Sequence, residues 1–372
     1  MYQGWALTNM TKVKNIAVGM SGGVDSTITV HLLKQQGFNL NGITMSVWDN
    51  SVAIPDLGMS GCYGPGEEKD IEQAKAMAAR LGIPHFVVDL KNEYKQNVLE
   101  YFCSEYSCGK TPNPCVMCNR KVKFGALIKK AKEAGIEFDI FATGHYARVE
   151  YDETSKRWCL KKALDEKKDQ SYFLAFLSQE QLSQVMFPLG SKTKTEIKEL
   201  AIQLGFKELA ERKESQDFIE TDDYSILFKD KEIKPGDILD TNGKKIGTHK
   251  GIIYYTIGQR KGLGISTPNP VYVTNIDPEK NTITVGAELG LFSKELKAGN
   301  INWISIDELK EPMRVMAKIR QQHKPAWATV EPIDATSIKI SFDEPQRAIT
   351  CGQTVVLYNE DIVVGAGIIN GT

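Results

Sequence analysis

Two short segments hold residue types that could do chemistry. The first is Gly19-Met20-Ser21-Gly22-Gly23-Val24-Asp25-Ser26, set between the apolar run Ile16-Ala17-Val18 and an amphipathic stretch at 24–36. A strand that passes into a helix through glycines aims consecutive backbone N–H groups and a helix N-terminus at one spot, which makes a cradle for an anion. Gly22 and Gly23 allow backbone angles and a close approach that a side chain would block, and the hydroxyls of Ser21 and Ser26 can donate to phosphate oxygens. No lysine follows the glycines, so this is not the Walker loop. The plainer reading is a tight turn capped by Asp25 or Ser26.

The second segment is Thr111-Pro112-Asn113-Pro114-Cys115-Val116-Met117-Cys118-Asn119-Arg120. It leads into 121–134, which reads as a helix carrying Lys121, Lys123, Lys129, Lys130 and Lys132. A thiol just ahead of a helix and beside Arg120 and Lys121 is expected to have a lowered pKa, because dipole and cations both favour thiolate. Cys118 is therefore a candidate nucleophile or sulfur carrier. Four of the seven cysteines (Cys103, Cys108, Cys115 and Cys118) crowd into 103–118, and the alternative is a structural zinc site built from them.

These segments need a scaffold, and the pattern supplies one. Apolar runs at 16–18, 43–47, 86–88 and 140–143 alternate with helical stretches at 24–36, 67–81 and 121–134, which predicts βαβ units and a parallel sheet covered by helices. Past 214 the texture changes to turn signals between short apolar runs, and Asn242-Gly243 suits a two-residue hairpin turn. Runs at 315–319, 326–330, 337–342, 354–357 and 362–368 predict a small antiparallel barrel. The expected units are 1–214, 215–296 and 297–372. The chain has 372 residues with 41% hydrophobic and 25% charged, so it is neither disordered nor interrupted by a bilayer-spanning run. Lys plus Arg is 46 against 47 for Asp plus Glu, so any nucleic-acid site must be a local patch, with 110–132 and Arg314, Lys318, Arg320 and Lys324 as candidates. Residues 1–14 read as neither secretory signal nor transit peptide, which points to the cytoplasm and no membrane.

The glycine loop resembles that of the ATP pyrophosphatase (PP-loop) superfamily, in which SGGxDS holds the pyrophosphate end of ATP while a substrate is adenylated. GMP synthetases, NAD synthetases, tRNA-lysidine synthetases and tRNA thiolation enzymes share it. Five further features agree in order: Met45 after the second strand, TPNPCVMCN at 111–119, ATGHY at 142–146, KDQSYFL at 168–174 and YTIGQRKGLG at 255–264. With these the chain is similar, from Asn15 onward, to the tRNA-specific 2-thiouridylases.

That resemblance implies an α/β protein: an adenine-nucleotide α-hydrolase-like parallel-sheet domain, a small central domain and a C-terminal antiparallel β-barrel. It implies ATP held by Gly19, Met20, Ser21, Gly22, Gly23, Val24, Asp25 and Ser26, with Met45 and Gly144 against the nucleotide and Asp25 as a candidate Mg²⁺ ligand. It implies that Asn113, Pro114 and Cys115 meet the target base and that Cys118 carries a persulfide. Lys168, Asp169, Gln170, Arg320 and Gln321 would touch tRNA. The implied reaction is ATP-dependent 2-thiolation of the wobble uridine, position 34, in the anticodon loop, with sulfur from a cysteine desulfurase or a relay protein. The plainer alternatives are a solvated loop at 168–170 with Asp169 capping a helix, an ordinary charged hairpin at 259–261, and His145 as a packed histidine.

The chain departs from the family pattern in two places. A second catalytic cysteine is usual where Ile219 stands in Glu214-Ser215-Gln216-Asp217-Phe218-Ile219-Glu220, and many members carry Asp where this chain has Cys115. Two solutions are expected: a Cys115–Cys118 disulfide cycle, or an iron–sulfur cluster on Cys108, Cys115 and Cys118. Arg320-Gln321 also stands where Arg-Tyr is common. The rival functions are another adenylating ligase or amidotransferase with the same loop, and a tRNA-binding relic without activity.

Overall fold

A computed structural model describes residues 13–56, 61–212, 217–229 and 231–372. An unbroken apolar triplet suits a strand covered on both faces, and Ile16, Ala17 and Val18 are wholly buried in β1 (Asn15–Gly19). β1 runs parallel to β2 (Asn39–Ser46) on one side and β4 (Ile140–Ala142) on the other. β3 (His85–Asp89) extends the sheet beyond β2, and β7 (Val185–Met186) extends it beyond β4. The order β3-β2-β1-β4-β7 reverses direction between β1 and β4. Open α/β sheets bind ligands outside the C-terminal strand ends at such a reversal.

Helices cover both faces. α1 (Val24–Gln35) and α2 (Glu67–Leu81) pack Val30, Leu33, Ala74 and Ala78 on Ile16 and Val18. The other face, with Ala17, Ile43 and Phe141, is covered by two composite helices. α3 runs through Lys91–Tyr94, Lys95–Leu99 and Glu100–Ser107, and α4 through Pro114–Met117, Cys118–Ala126 and Leu127–Glu133, each with a π-helical middle part. α4 starts ahead of the expected 121. Asn113 caps it by accepting the Val116 N–H at 3.2 Å, and Pro114 occupies the first helical position, where a missing N–H costs nothing.

A hairpin of β5 (Arg148–Asp152) and β6 (Arg157–Lys161) leaves this layer and joins the C-terminal sheet, Lys161 pairing with Ile362. The central unit is a four-stranded sheet of β8 (Gly236–Leu239), β9 (Lys245–His249), β10 (Tyr272–Asp277) and β11 (Thr282–Gly286) in the order β10-β11-β8-β9. Its β8–β9 turn is longer than the two-residue turn expected. Gly243 alone takes a positive φ (79°), and its N–H donates to Asp240 at 3.0 Å, because Asn242 keeps an ordinary backbone. The C-terminal barrel has the strands β12 (Phe292–Trp303), β13 (Met313–Lys318), β14 (Ala326–Asp334), β15 (Ser337–Arg347), β16 (Thr354–Asn359) and β17 (Ile362–Gly371), closed by β12 pairing with β17. Among the described residues no helix is long and apolar enough to cross a membrane.

Candidate active site at the reversal of the sheet

The glycine loop occupies the reversal. Gly22 has φ 72°, and a Cβ there would lie 3.0 Å from Gln73 and 3.1–3.2 Å from the α2 backbone, so the loop is moulded to α2. The Ser26 hydroxyl donates to Gly23 O (3.1 Å) and accepts the Ser21 N–H (3.3 Å). It folds the loop, and the first-turn N–H groups of α1 are left to face an anion. Gly144, just past β4, completes the cradle: a Cβ on it would lie 2.9 Å from Asp25 and 3.1 Å from Ser26 N. Met45 lies near the end of β2, half-buried against the same core as Cys118.

Asp25, the expected Mg²⁺ ligand, is engaged by protein groups. Lys194, nine-tenths buried, puts its ammonium 2.8 Å from both carboxylate oxygens, and the Tyr146 hydroxyl donates to Oδ1 at 2.8 Å. The expected Mg²⁺ ligand is thus occupied by protein donors, and the carboxylate fixes the start of α1 to the helix that opens at Lys194. Neither partner is signalled near Asp25 in sequence, although Thr193 and Glu196 form a capping box that marks where Lys194 begins its helix.

α4 carries the thiols to the same place. Phe124 packs edge-on against Phe141 of β4 (centroids 5.9 Å) and beside His145 (5.6 Å). The half-buried Lys123 ammonium acts on His145 and on Cys118 at once, which ties the thiol to the end of β4 and, through Gly144, to the loop. Burial holds His145 neutral, its pKa far below the usual value, with Nδ1 and the Thr143 hydroxyl 2.7 Å apart.

Cys118 corrects an expectation. It lies in the second turn of α4, not ahead of it, and is 6% exposed. Burial pushes its thiol up to about 12, and the Lys123 ammonium offsets only part of that. Cys115 is raised further by the same cause. The helix-end argument fails because desolvation outweighs one dipole and one cation. Alkylation of Cys118 by iodoacetamide in the free protein is therefore expected to rise about tenfold per pH unit between about pH 7 and 9. Fragment-ion mapping of residues 111–120 reads it, and a plateau below about pH 7 would contradict the burial argument.

The expected metal groupings are absent. Cys108 is exposed at the end of α3, while Cys103 is buried and its thiol donates to Leu227 O (3.4 Å). Among the described residues no three His, Cys, Asp or Glu side chains gather to hold a metal ion, so neither a cluster on Cys108, Cys115 and Cys118 nor the four-cysteine zinc site fits.

The base-side segment is braced from all three parts of the chain. Thr111 N–H donates to Cys351 O (2.9 Å), Gln353 Nε2 donates to the carbonyls of Thr111 (2.9 Å) and Pro112 (3.1 Å), and the Thr111 hydroxyl donates to Thr256 (3.3 Å). Tyr172 bonds to the Asn113 side chain and to Thr354 O (2.8 Å). Pro114 and Cys115 therefore open α4 at a junction of barrel, central sheet and catalytic layer.

The segments expected to contact RNA converge. Gln321 Nε2 donates to Asp169 O at 2.9 Å, which brings 168–170 and 320–321 together. Asp169 is buried and accepts Ala163 N–H (3.0 Å), Ser171 N–H (3.1 Å) and the Ser171 hydroxyl (2.8 Å), and Gln170 accepts the Tyr146 N–H (2.9 Å). Both side chains hold the segment's shape. Four cations of the expected basic patch are paired internally: Lys110 with Glu105, Lys129 with Glu133, Lys130 with Glu93 and Arg314 with Asp343.

Comparison with known proteins shows the family. Residues 14–220 match the family described as the tRNA methyl transferase HUP domain, 226–287 its PRC-barrel domain, and 293–369 the aminomethyltransferase beta-barrel domain. The tRNA-specific 2-thiouridylase MnmA 1 of Caldanaerobacter subterraneus subsp. tengcongensis is 49% identical over 360 residues, 95% of this chain and 97% of its own. The MnmA of Clostridioides difficile is 46% identical over 361 residues, 96% of this chain and 98% of its own. Among solved structures, NMN synthetase from Francisella tularensis superposes with a TM-score of 0.34 at 15% identity, over 56% of this chain and 69% of its own. Similar from end to end to named members, the chain belongs to the tRNA-specific 2-thiouridylase family.

Proposed function

We propose that this protein is a tRNA-uridine 2-sulfurtransferase that thiolates the wobble uridine, position 34, at the expense of ATP. The observation that carries the reading is the convergence of the glycine loop, Gly144 and Lys123 with the Cys118 thiol at one reversal of one sheet.

The chemistry follows from what uracil lacks. Oxygen 2 is a poor leaving group, and its attack on the α-phosphate of ATP turns it into AMP, a good one. The loop N–H groups of 19–26 hold the departing pyrophosphate, whose charge a helix N-terminus favours. The sulfane sulfur of a Cys118 persulfide then attacks carbon 2 and AMP leaves with the bonding pair. The Lys123 ammonium favours negative charge on the Cys118 sulfur. The base must be unstacked, which a single-stranded anticodon loop supplies cheaply. In this reading 1–214 performs the chemistry, 215–296 links it to RNA, and 297–372, whose first strand already begins at Phe292, braces the base-side segment. A cysteine desulfurase or relay protein supplies the sulfur, and the cytoplasm is the proposed compartment.

Lys168 and Arg320 are the proposed phosphate contacts. Lys168→Ala and Arg320→Ala are each expected to weaken tRNA binding about tenfold and to lower the slope of log K against log salt by about one. Filter binding across a salt series reads both, and an unchanged slope would remove that residue from the interface. The function itself is tested by nucleoside mass spectrometry of tRNA from a deletion strain complemented with the wild-type or Cys118→Ser gene. Restoration of 2-thiouridine by the wild type alone is expected, and thiolation that persists in the uncomplemented strain would overturn the assignment.

A further inference from the structure

The segment 61–66 is fastened beside the thiols. Gly61 bridges in parallel to Asp217, and a Cβ on it would lie 2.7 Å from the Ile219 carbonyl carbon. Tyr63 O accepts the Glu220 N–H (3.1 Å), and Gly66 N–H donates to Glu220 Oε2 (2.9 Å). The Tyr63 ring stacks on Tyr94 with centroids 5.6 Å apart, and the Tyr94 hydroxyl donates to Phe218 O (2.8 Å). Tyr63, Tyr94, Phe218 and Ile219 share one core with Val116 and Cys118 of α4. Between Gly61 and Tyr63, this clamp holds Cys62 on an element separate from α4.

Cys62 is solvent-exposed, yet protein surrounds it closely enough to desolvate its thiol. It lies within electrostatic reach of Cys115, Cys118 and Lys123. Of the three residues, Cys118 is buried, Cys115 is half-buried on the same helix, and Cys62 is the most exposed.

We propose that Cys62 is the resolving thiol, the group that frees the thiolated base from Cys118. The proposal rests on the sulfurtransferase reading above. After the sulfane sulfur has bonded to carbon 2 and AMP has left, the base is joined to Cys118 through an S–S bond. Cys62 gives its proton to water and its thiolate attacks Cys118 Sγ. The Cys62–Cys118 bond forms, the S–S bond to the base breaks, and the sulfur departs with the electron pair as the thiocarbonyl of 2-thiouridine. The sulfane sulfur is thereby reduced and two cysteines are oxidised to a disulfide, which a dithiol reductant returns to thiols. Exposure of Cys62 suits that last exchange, which depends on access.

The test is a single turnover of the persulfide-loaded full chain with tRNA and ATP and without reductant. The wild type is expected to yield 2-thiouridine and a disulfide-linked peptide pair containing Cys62 and Cys118. Cys62→Ser is expected to slow product release about 100-fold and to accumulate an enzyme–tRNA conjugate through Cys118, with dithiothreitol releasing 2-thiouridine from it. That rescue also shows the variant to be folded. A Cys115–Cys118 disulfide in the wild type, the same trap in Cys115→Ser but not in Cys62→Ser, or Cys62→Ser turning over like wild type would each overturn the proposal. Absence of 2-thiouridine from the wild type would instead sink the sulfurtransferase reading.

Discussion

Cys118→Ser is expected to lower the rate of 2-thiouridine formation by at least about 10⁴ while tRNA-dependent release of pyrophosphate stays within a few-fold of wild type. The asymmetry arises because the two half-reactions use different groups. In the proposed reaction adenylation uses the loop N–H groups and Gly144, whereas the sulfane sulfur is carried on Cys118, beside Lys123. A serine hydroxyl matches the thiol in shape but cannot hold a sulfane sulfur. Parallel assays of labelled pyrophosphate and of nucleosides separate the steps, and equal loss of both would place Cys118 in the nucleotide site instead.

Gly22→Val is expected to weaken ATP binding about 100-fold or more and to lower the melting temperature by several degrees. At φ 72° a β-branched side chain meets its own backbone, and its Cβ would also press on Gln73 and on the α2 backbone at Asp70 and Ala74. The cheapest relief is displacement of the loop away from α2, which turns the N–H groups off the phosphates. Equilibrium dialysis with ATP and thermal unfolding read the two effects. A variant that loses stability but binds ATP normally would show that the loop does not hold the nucleotide.

What the sequence made legible had local causes. The loop at 19–26 could be read because strand, glycines and helix follow one another directly, and β13, β14 and β15 because their buried residues alternate. β12 escaped because Phe292–Trp303 is rich in Lys, Asn and Glu and shows only Leu296 and Ala298 as wholly buried side chains. The start of α4 escaped because Pro-Asn-Pro looks like a linker, although Asn113 and Pro114 are cap and first-turn residues. The Asp25–Lys194 pair spans 169 positions and nothing local announces it. The thiol of Cys118 was misjudged because charges near it are visible in sequence and burial is not. Cys62 was passed over for the same reason: its neighbours at 217–220 are brought by the fold, while Glu214, Ser215 and Gln216 lie outside the described residues.

The central claim is that the loop's ATP activates oxygen 2 of the base that Cys118 sulfurates, and an isotope can follow that oxygen. With tRNA carrying ¹⁸O at oxygen 2 of the wobble uridine, mass spectrometry of the AMP released during thiolation should find one ¹⁸O in each AMP formed. AMP without the label, alongside thiolated tRNA, would contradict the account.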